Sequence, residues 1–222
     1  MVKITRFSQF TRKLQRQKTV KLLKTLLGNS GWFISGSFAN LAVSAPNDID
    51  IFFYSELEYL QAVAKVKAIV DEDYILNSPY AFSFYIEEIT LPVQLINKHF
   101  GTPEEVFNTF DLNICKRCIL PDGSYYEDKE AQKPLTINNI NHGTFTRYIK
   151  YLKRTNNDTI TTYVHTLIDT YIGNNNIVDE YYGEKHIQLP VNMLLFNQIK
   201  MYNDYSSYLY KKASEEAPEL LL

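Results

Sequence analysis

Residues 36–53 read GSFANLAVSAPNDIDIFF, and this stretch decides which fold the sequence predicts. A spacer of ten residues separates Gly36-Ser37 from an Asp48-Ile49-Asp50 segment that continues into apolar residues. Side chains alternate between the faces of a strand, so Asp48 and Asp50 are predicted to share one face while Ile49 points into the core. Two carboxylates at this spacing repel each other unless a cation lies between them. The pattern therefore predicts a paired-acid site on a strand.

Magnesium is the cation that this acid pair predicts. It prefers hard oxygen ligands and is commonly held by one or two carboxylates together with water and substrate phosphates. Gly36 allows the backbone to approach a phosphate closely, and the main-chain N–H groups that follow can donate to phosphate oxygens. The Ser37 hydroxyl adds a further hydrogen bond. Together these residues predict a clamp that neutralises the charge developing during an in-line displacement at phosphorus.

An apolar residue, Gly-Ser, a spacer of about ten and Asp-apolar-Asp form a pattern that resembles the nucleotidyltransferase superfamily, which includes DNA polymerase beta, tRNA CCA-adding enzymes and aminoglycoside nucleotidyltransferases. The match covers residues 34–52, and PVQLIN, PEEVFNTFDLNICK and TFTRYIKYLKR also resemble parts of nucleotidyltransferase-like proteins from bacteriophages. The resemblance implies transfer of a nucleoside monophosphate from a nucleoside triphosphate to an acceptor hydroxyl. It assigns two Mg²⁺ ions to Asp48 and Asp50, and the triphosphate to Gly36 and Ser37.

The superfamily usually carries a third carboxylate on a strand beside the acid pair, and here the sequence departs from that pattern. The corresponding strand reads PVQLIN, so Gln94 stands where an acid is expected. An amide cannot bridge two metal ions as a carboxylate does. Asp111, at the start of the next predicted strand, is the favoured replacement and is assigned a catalytic role. Glu87 and Glu88, on the adjacent hairpin, are the alternatives.

The resemblance also implies that Arg147 and Lys150 bind the triphosphate tail. They lie three residues apart on a predicted helix over residues 144–154 and therefore share a helix face. Lys153 and Arg154 would extend this positive surface. A solvated basic helix without a ligand is an equally good interpretation of the same residues.

The periodicity of the whole chain predicts an α+β protein. A mixed-sheet domain of nucleotidyltransferase type with flanking helices and a basic N-terminal helix is assigned to residues 1–134, and a small helical domain to residues 135–222. Predicted strands cover 31–37, where the strand runs into a turn, 48–54, 81–88, 90–97 and 112–120. Predicted helices cover 12–27, 144–154, 157–172 and 190–212, and two more begin after the capping-box residues Ser55 and Thr102.

Composition and charge exclude several classes of protein. Of the 222 residues, 45% are hydrophobic and the net charge is −2, which argues against a protein that coats nucleic acid without specificity. No stretch resembles a signal peptide or a membrane span, so a cytoplasmic protein is predicted, in the host cytoplasm if a phage encodes the chain. Cys115 and Cys118 have no second cysteine pair beside them and are predicted to be core residues rather than a zinc or redox site.

The acceptor of the predicted transfer stays open. Residues 1–27 hold eight Lys or Arg and no acid, which fits an RNA 3′ end, especially that of tRNA. A protein side chain or a small molecule would need fewer positive charges. The rival hypothesis is a catalytically silent nucleotidyltransferase fold that binds nucleic acid or a protein, and Gln94 is its main support.

Overall fold

The computed structural model describes residues 6–40, 46–141, 143–155, 160–182 and 185–199. The chain divides into two compact units, residues 2–136 and 137–222. Helices and strands are both present, and the class is α+β, as the sequence predicts. Within the described ranges, no helix combines the length and the apolar composition that crossing a membrane requires.

The first unit is built around a mixed sheet. Its elements are α1 (Arg6–Leu27), β1 (Trp32–Ser35), α2 (Gly36–Ala39), β2 (Ile49–Phe53), α3 (Glu56–Lys67), β3 (Ile75–Asn77), β4 (Ala81–Ile86), β5 (Ile89–Phe100), α4 (Pro103–Phe107), β6 (Arg117–Ile119) and β7 (Tyr125–Glu127). In the described part of the chain the strands are ordered β3-β4-β5-β2-β1-β6-β7. Strands β2 and β5 run parallel, whereas the other neighbouring pairs are antiparallel.

The sheet buries apolar side chains on both faces, and alternation along each strand decides which face a residue joins. The larger core lies against α1, α2 and α3 and includes Ile49 and Ile51. The smaller core lies against α4 and includes Phe33 and Phe52. Because Asp50 alternates with Ile49 and Ile51, it lies on the same face as Phe52 and the smaller core.

Helices α3 and α4 begin at the predicted capping residues. The Ser55 hydroxyl accepts a hydrogen bond from the main-chain N–H of Glu58 at 3.3 Å. Thr102 and Glu105 form a complete capping box, with Pro103 in the first turn. Each cap satisfies an N–H group that has no partner inside the helix, so these short-range sequence signals fix both helix starts.

The segment that follows Asp111 differs from the predicted continuous strand over residues 112–120. Residues Asn113–Cys115 form a 3₁₀ turn, and strand β6 is confined to Arg117–Ile119. The fully buried Asn113 amide donates to the carbonyls of Glu130 and Pro134, both at 2.9 Å, while its Oδ1 accepts from the N–H of Thr136 at 2.8 Å. An Asn side chain that bonds main-chain groups competes with regular strand pairing, which explains the interruption.

Replacing Asn113 by Ala should lower the free energy of unfolding by about 2–4 kcal/mol, because buried carbonyl and N–H groups lose their partners. Urea denaturation monitored by circular dichroism measures the change. The exposed Asn77, on the short strand β3, is the matched control. Asn77→Ala should change the free energy by less than about 0.5 kcal/mol. Equal effects of the two substitutions would show that Asn113 does not fasten residues 130–136.

The second unit contains the predicted helices and a hairpin that the sequence analysis did not anticipate. Its elements are α5 (Thr144–Thr155), α6 (Ile160–Tyr171), β8 (Ile177–Tyr182), β9 (Lys185–Pro190) and α7 (Val191–Ile199). Strands β8 and β9 pair with each other in antiparallel fashion. Contacts between its two strands stabilise such a hairpin, so a search for helical periodicity does not detect it. The predicted helix over residues 190–212 is present as α7, and its remainder lies outside the described residues.

Candidate functional site

The two acids lie at the beginning of β2. Asp48 directly precedes the strand, which starts one residue later than predicted. Both Asp48 and Asp50 are partly exposed, whereas Ile49 and Ile51 have no exposed surface. The acids are therefore open to solvent while the residues that alternate with them anchor the strand in the larger core.

Gly36 brings the Asp50 carboxylate against the turn between β1 and α2. Its φ of +72° lies in the left-handed region that favours glycine. A Cβ atom built on Gly36 would lie 2.6 Å from Oδ2 of Asp50, so the carboxylate would have to shift to admit a side chain. Across the β1–β2 pairing, Ser35 is the direct partner of Asp50. Backbone conformation and contact distance together favour glycine at this position.

Ser37, the predicted phosphate contact, follows Gly36 in the single helical turn α2. Only 6% of its surface is exposed. Its carbonyl accepts a hydrogen bond from the N–H of Asn40 at 3.3 Å, which closes the turn. The contact of Ser37 with a phosphate stays a prediction.

Arg16 of α1 fastens the far end of α2, a role that the sequence analysis missed. Its Nε donates to the carbonyl of Phe38 at 2.6 Å and its Nη2 to the carbonyl of Asn40 at 2.9 Å. Its Cζ lies 5.5 Å from the centroid of the Phe38 ring. The basic N-terminal segment suggests a surface for phosphates, yet this member of it points inward. Nothing in the spacing of the neighbouring Lys and Arg residues distinguishes it.

The same turn is held on its other side by the segment ahead of β6. The Ser35 hydroxyl donates to the carbonyl of Arg117 at 2.6 Å. The Asn40 amide donates to the carbonyl of Ile114 at 3.5 Å. The Gly36-Ser37 turn is therefore held between α1 and residues 114–117.

Gln94 lies beside Asp50, where the resemblance leads one to expect a third acid. The parallel pairing of β2 with β5 makes them direct partners, and Ser83 of β4 is the next partner across the sheet. Ser35, Asp50, Gln94 and Ser83 thus form a polar row across neighbouring strands. Among the described residues, no group of three or more His, Cys, Asp or Glu side chains is placed to hold a metal ion.

Asp111 lies in a bend ahead of the 3₁₀ turn and is 6% exposed. The ring of the preceding Phe110 lies 5.5 Å, between centroids, from that of Phe52. The segment with Asp111 therefore passes over the face of the sheet that carries Asp50. Asp48, Asp50 and Asp111, all described, do not form a metal-holding group of three. The catalytic role of Asp111 stays a prediction.

Glu87 and Glu88 are too far along the hairpin to serve as the third acid. They occupy the exposed tight turn between β4 and β5. Glu88 precedes Gln94 by six residues, which corresponds to about 20 Å along a strand. Because Gln94 is the direct partner of Asp50, neither glutamate reaches the acid pair.

Both cysteines are buried. Burial raises the pKa of the Cys118 thiol to about 12, so this thiol stays protonated at neutral pH. The thiolate is the form that binds metals and acts as a nucleophile. The structure thus agrees with the prediction that the cysteines are core residues.

Arg147 and Lys150 belong to α5 of the second unit and are partly exposed. The Arg147 guanidinium donates to Oδ1 of Asn141. It lies so close to Gly143 that a Cβ atom there would be 2.8 Å from Nη1. Arg147 therefore contacts the residues that lead into its own helix. The proposed contact of both residues with a triphosphate stays a prediction.

Comparison with known proteins identifies a family. A search of curated proteins gave no match. The family model described as Gad2, Gabija anti-defense 2 family protein, matches residues 2–132. This range covers more than half of the 222 residues and contains the acid pair, the glycine turn and Gln94. The chain therefore belongs to the Gad2, or Gabija anti-defense 2, family.

Proposed function

We propose that this Gad2 family chain is a metal-dependent nucleotidyltransferase. Asp48 and Asp50 bind Mg²⁺, and Gly36 and Ser37 receive the triphosphate. An acceptor hydroxyl forms a bond to the α-phosphorus, and the bond from that phosphorus to the bridging oxygen breaks. Pyrophosphate leaves with the electron pair, and the hydroxyl proton passes to solvent. The bound cation would supply a positive charge beside the phosphate oxygens.

The contact between Gly36 and Asp50 is the observation that supports this proposal most directly. It sets a partly exposed carboxylate against a glycine turn, with a Cβ position only 2.6 Å from Oδ2. Carboxylate oxygens are ligands that Mg²⁺ prefers, and the ion completes its coordination with water and phosphate. The main-chain N–H groups that follow the glycine turn can donate to oxygens of that phosphate. The donor set therefore fits the proposed cation and substrate.

For the acceptor we propose the 3′ hydroxyl of an RNA. Lys13, Lys18 and Lys21 of α1 are exposed and give the first unit a cationic helix, which attracts a phosphate backbone. The family name favours a second candidate. Because a protein that counters the Gabija defence acts against that system, the acceptor in this second candidate is a hydroxyl of a Gabija protein.

Transfer of label tests the activity. The purified chain is incubated with nucleoside triphosphates labelled at the α-phosphate, together with either total RNA or Gabija proteins. We expect label in the RNA when Mg²⁺ is present and none when EDTA removes the cation. Label in the protein instead would establish the second acceptor. Absence of label from both acceptors, with Mg²⁺ or Mn²⁺ and with each triphosphate, would contradict the proposed enzyme.

Gln94 favours a rival function, a silent fold that binds nucleic acid or a partner protein. It places an amide, rather than a carboxylate, directly beside Asp50 in the β2–β5 pairing. A site with fewer carboxylates holds divalent cations less tightly because the attraction between charges is weaker. Under this alternative, binding would survive the loss of Asp48 and Asp50.

The variant Gln94→Glu should tighten cation binding by roughly tenfold, because it adds a carboxylate directly beside Asp50. Titration calorimetry with Mg²⁺ or Mn²⁺ measures the change. The exposed Gln61 of α3 is the matched control, and Gln61→Glu should leave the affinity unchanged. If the two variants bind the cations alike, the polar row is not a cation site and the silent fold is the better account.

A further inference from the structure

A cavity of about 280 Å³ lies between α1 and the β6–β7 hairpin. Its apolar lining belongs to the larger core, whereas Asp50 lies on the opposite face of the sheet. It is thus separate from the acid pair. The lining side chains that matter here are Lys13, Arg16, Gln17 and Val20 of α1 with Ile119 and Tyr125 of the hairpin.

Two of the residues that line the cavity are basic. Lys13 and Arg16 contribute basic groups, and none of the described lining residues is acidic. Glu127, two residues beyond Tyr125, forms an ion pair with Arg117 at 2.8 Å and accepts the Tyr125 hydroxyl at 2.6 Å. Its negative charge is therefore balanced by Arg117. The cavity presents an environment that favours an anionic group.

The floor of the cavity is apolar. Val20 and Ile119 are core residues with 4% and 6% of their surfaces exposed. The ring of Tyr125 adds a flat wall, since its hydroxyl is already bonded to Glu127. Such a surface favours a planar or aliphatic group over a small hydrated ion. The volume lies just below the range of roughly 300–1,000 Å³ that is usual for ligand sites, which limits the ligand to a small molecule.

We propose that this cavity binds a small organic phosphate, a molecule of the size and chemistry of a nucleoside monophosphate. Its phosphate lies at Lys13 and Arg16, and its ring lies on Val20, Ile119 and Tyr125. This site goes beyond the proposed transfer reaction and does not depend on it, because none of these side chains belongs to the acid pair or the glycine turn.

Arg16 connects the cavity to the glycine turn. Arg16 lines the cavity, and its guanidinium donates to the carbonyls of Phe38 and Asn40 at the end of α2. A phosphate bound beside Arg16 fixes this side chain and thereby steadies α2. Binding should slow hydrogen exchange at the N–H of Asn40, which closes the α2 turn on the carbonyl of Ser37.

Adenosine 5′-monophosphate is the test ligand, with adenosine and inorganic phosphate as separate arms, and EDTA is present throughout. Calorimetry measures affinity, and hydrogen exchange reports on residues 36–40. We expect the monophosphate to bind more tightly than adenosine or inorganic phosphate alone. Lys13→Glu should weaken its binding about tenfold or more by reversing a charge in the lining. Lys67→Glu makes the same change at an exposed position of α3 outside the lining and should have no effect.

The variant Asp50→Asn separates this site from the proposed triphosphate site. Unchanged binding of the monophosphate in Asp50→Asn supports the cavity, whether or not nucleotide transfer is ever detected. The inference would be overturned if the monophosphate did not bind at millimolar concentration, or if inorganic phosphate bound as tightly. It would also be overturned if both lysine variants lost affinity for the monophosphate equally, or if Asp50→Asn lost that affinity. Thermal unfolding of each variant verifies that the chain is folded.

Discussion

Replacement of Asp50 by Asn should lower the rate of nucleotide transfer by a factor on the order of 1,000, equivalent to about 4 kcal/mol of activation free energy. The amide keeps the size of the carboxylate but removes its charge. It also introduces a neutral amide, whose NH₂ group is a hydrogen-bond donor, beside the cation that the site is proposed to hold. Initial rates with labelled triphosphate, measured over a range of Mg²⁺ concentrations, give the size of the loss.

The matched control for Asp50→Asn is the same change at Asp73, an exposed residue in the 3₁₀ turn between α3 and β3. Asp73→Asn should leave the transfer rate within about twofold of the unsubstituted chain. Thermal unfolding should show both variants folded. A fully active Asp50→Asn protein would remove the acid pair from the mechanism.

The substitution Gly36→Ala should lower transfer on the order of 100-fold while the protein remains folded. The methyl group would meet Oδ2 of Asp50 at 2.6 Å, so the carboxylate has to move from its position. The left-handed backbone adds a cost of roughly 1–2 kcal/mol in the free energy of unfolding. Transfer rates and urea denaturation on the same samples separate the catalytic loss from the loss of stability.

Gly28 offers a control that also has a positive backbone φ but has a different neighbour. Its φ is +108°, and the nearest atom to an added Cβ is Nζ of Lys65 at 3.4 Å, an ordinary contact. Gly28→Ala should therefore reduce stability by a similar amount and leave transfer largely intact. If both glycine variants lose transfer in proportion to their stability, the contact of Gly36 with Asp50 has no special role.

Features that depend on short stretches of sequence are the ones that the sequence predicts well. The alternation of Asp48 and Asp50 with buried isoleucines follows from the period of two in a strand. The starts of α3 and α4 follow from capping residues three positions apart. Each signal and its structural outcome lie within a few residues of each other.

Features that depend on distant partners are not predictable in this way. Arg16 bonds carbonyls 22 and 24 residues away, and a single sequence gives no sign of which basic residue of α1 turns inward. Asn113 breaks the predicted strand because it bonds carbonyls 17 and 21 residues further along. Strands β3 and β7 have three residues each and exist only through pairing with their neighbours.

The site's dependence on α1 limits how far the chain can be shortened. A chain that begins at Gly28 would keep both acids, the glycine turn and Gln94. It would therefore still contain the Gly-Ser and Asp-Ile-Asp pattern. It would nevertheless lack Arg16, which donates to the carbonyls of Phe38 and Asn40, together with the core residues Val20 and Leu23. Such a fragment should therefore not be used to judge whether the full chain is active.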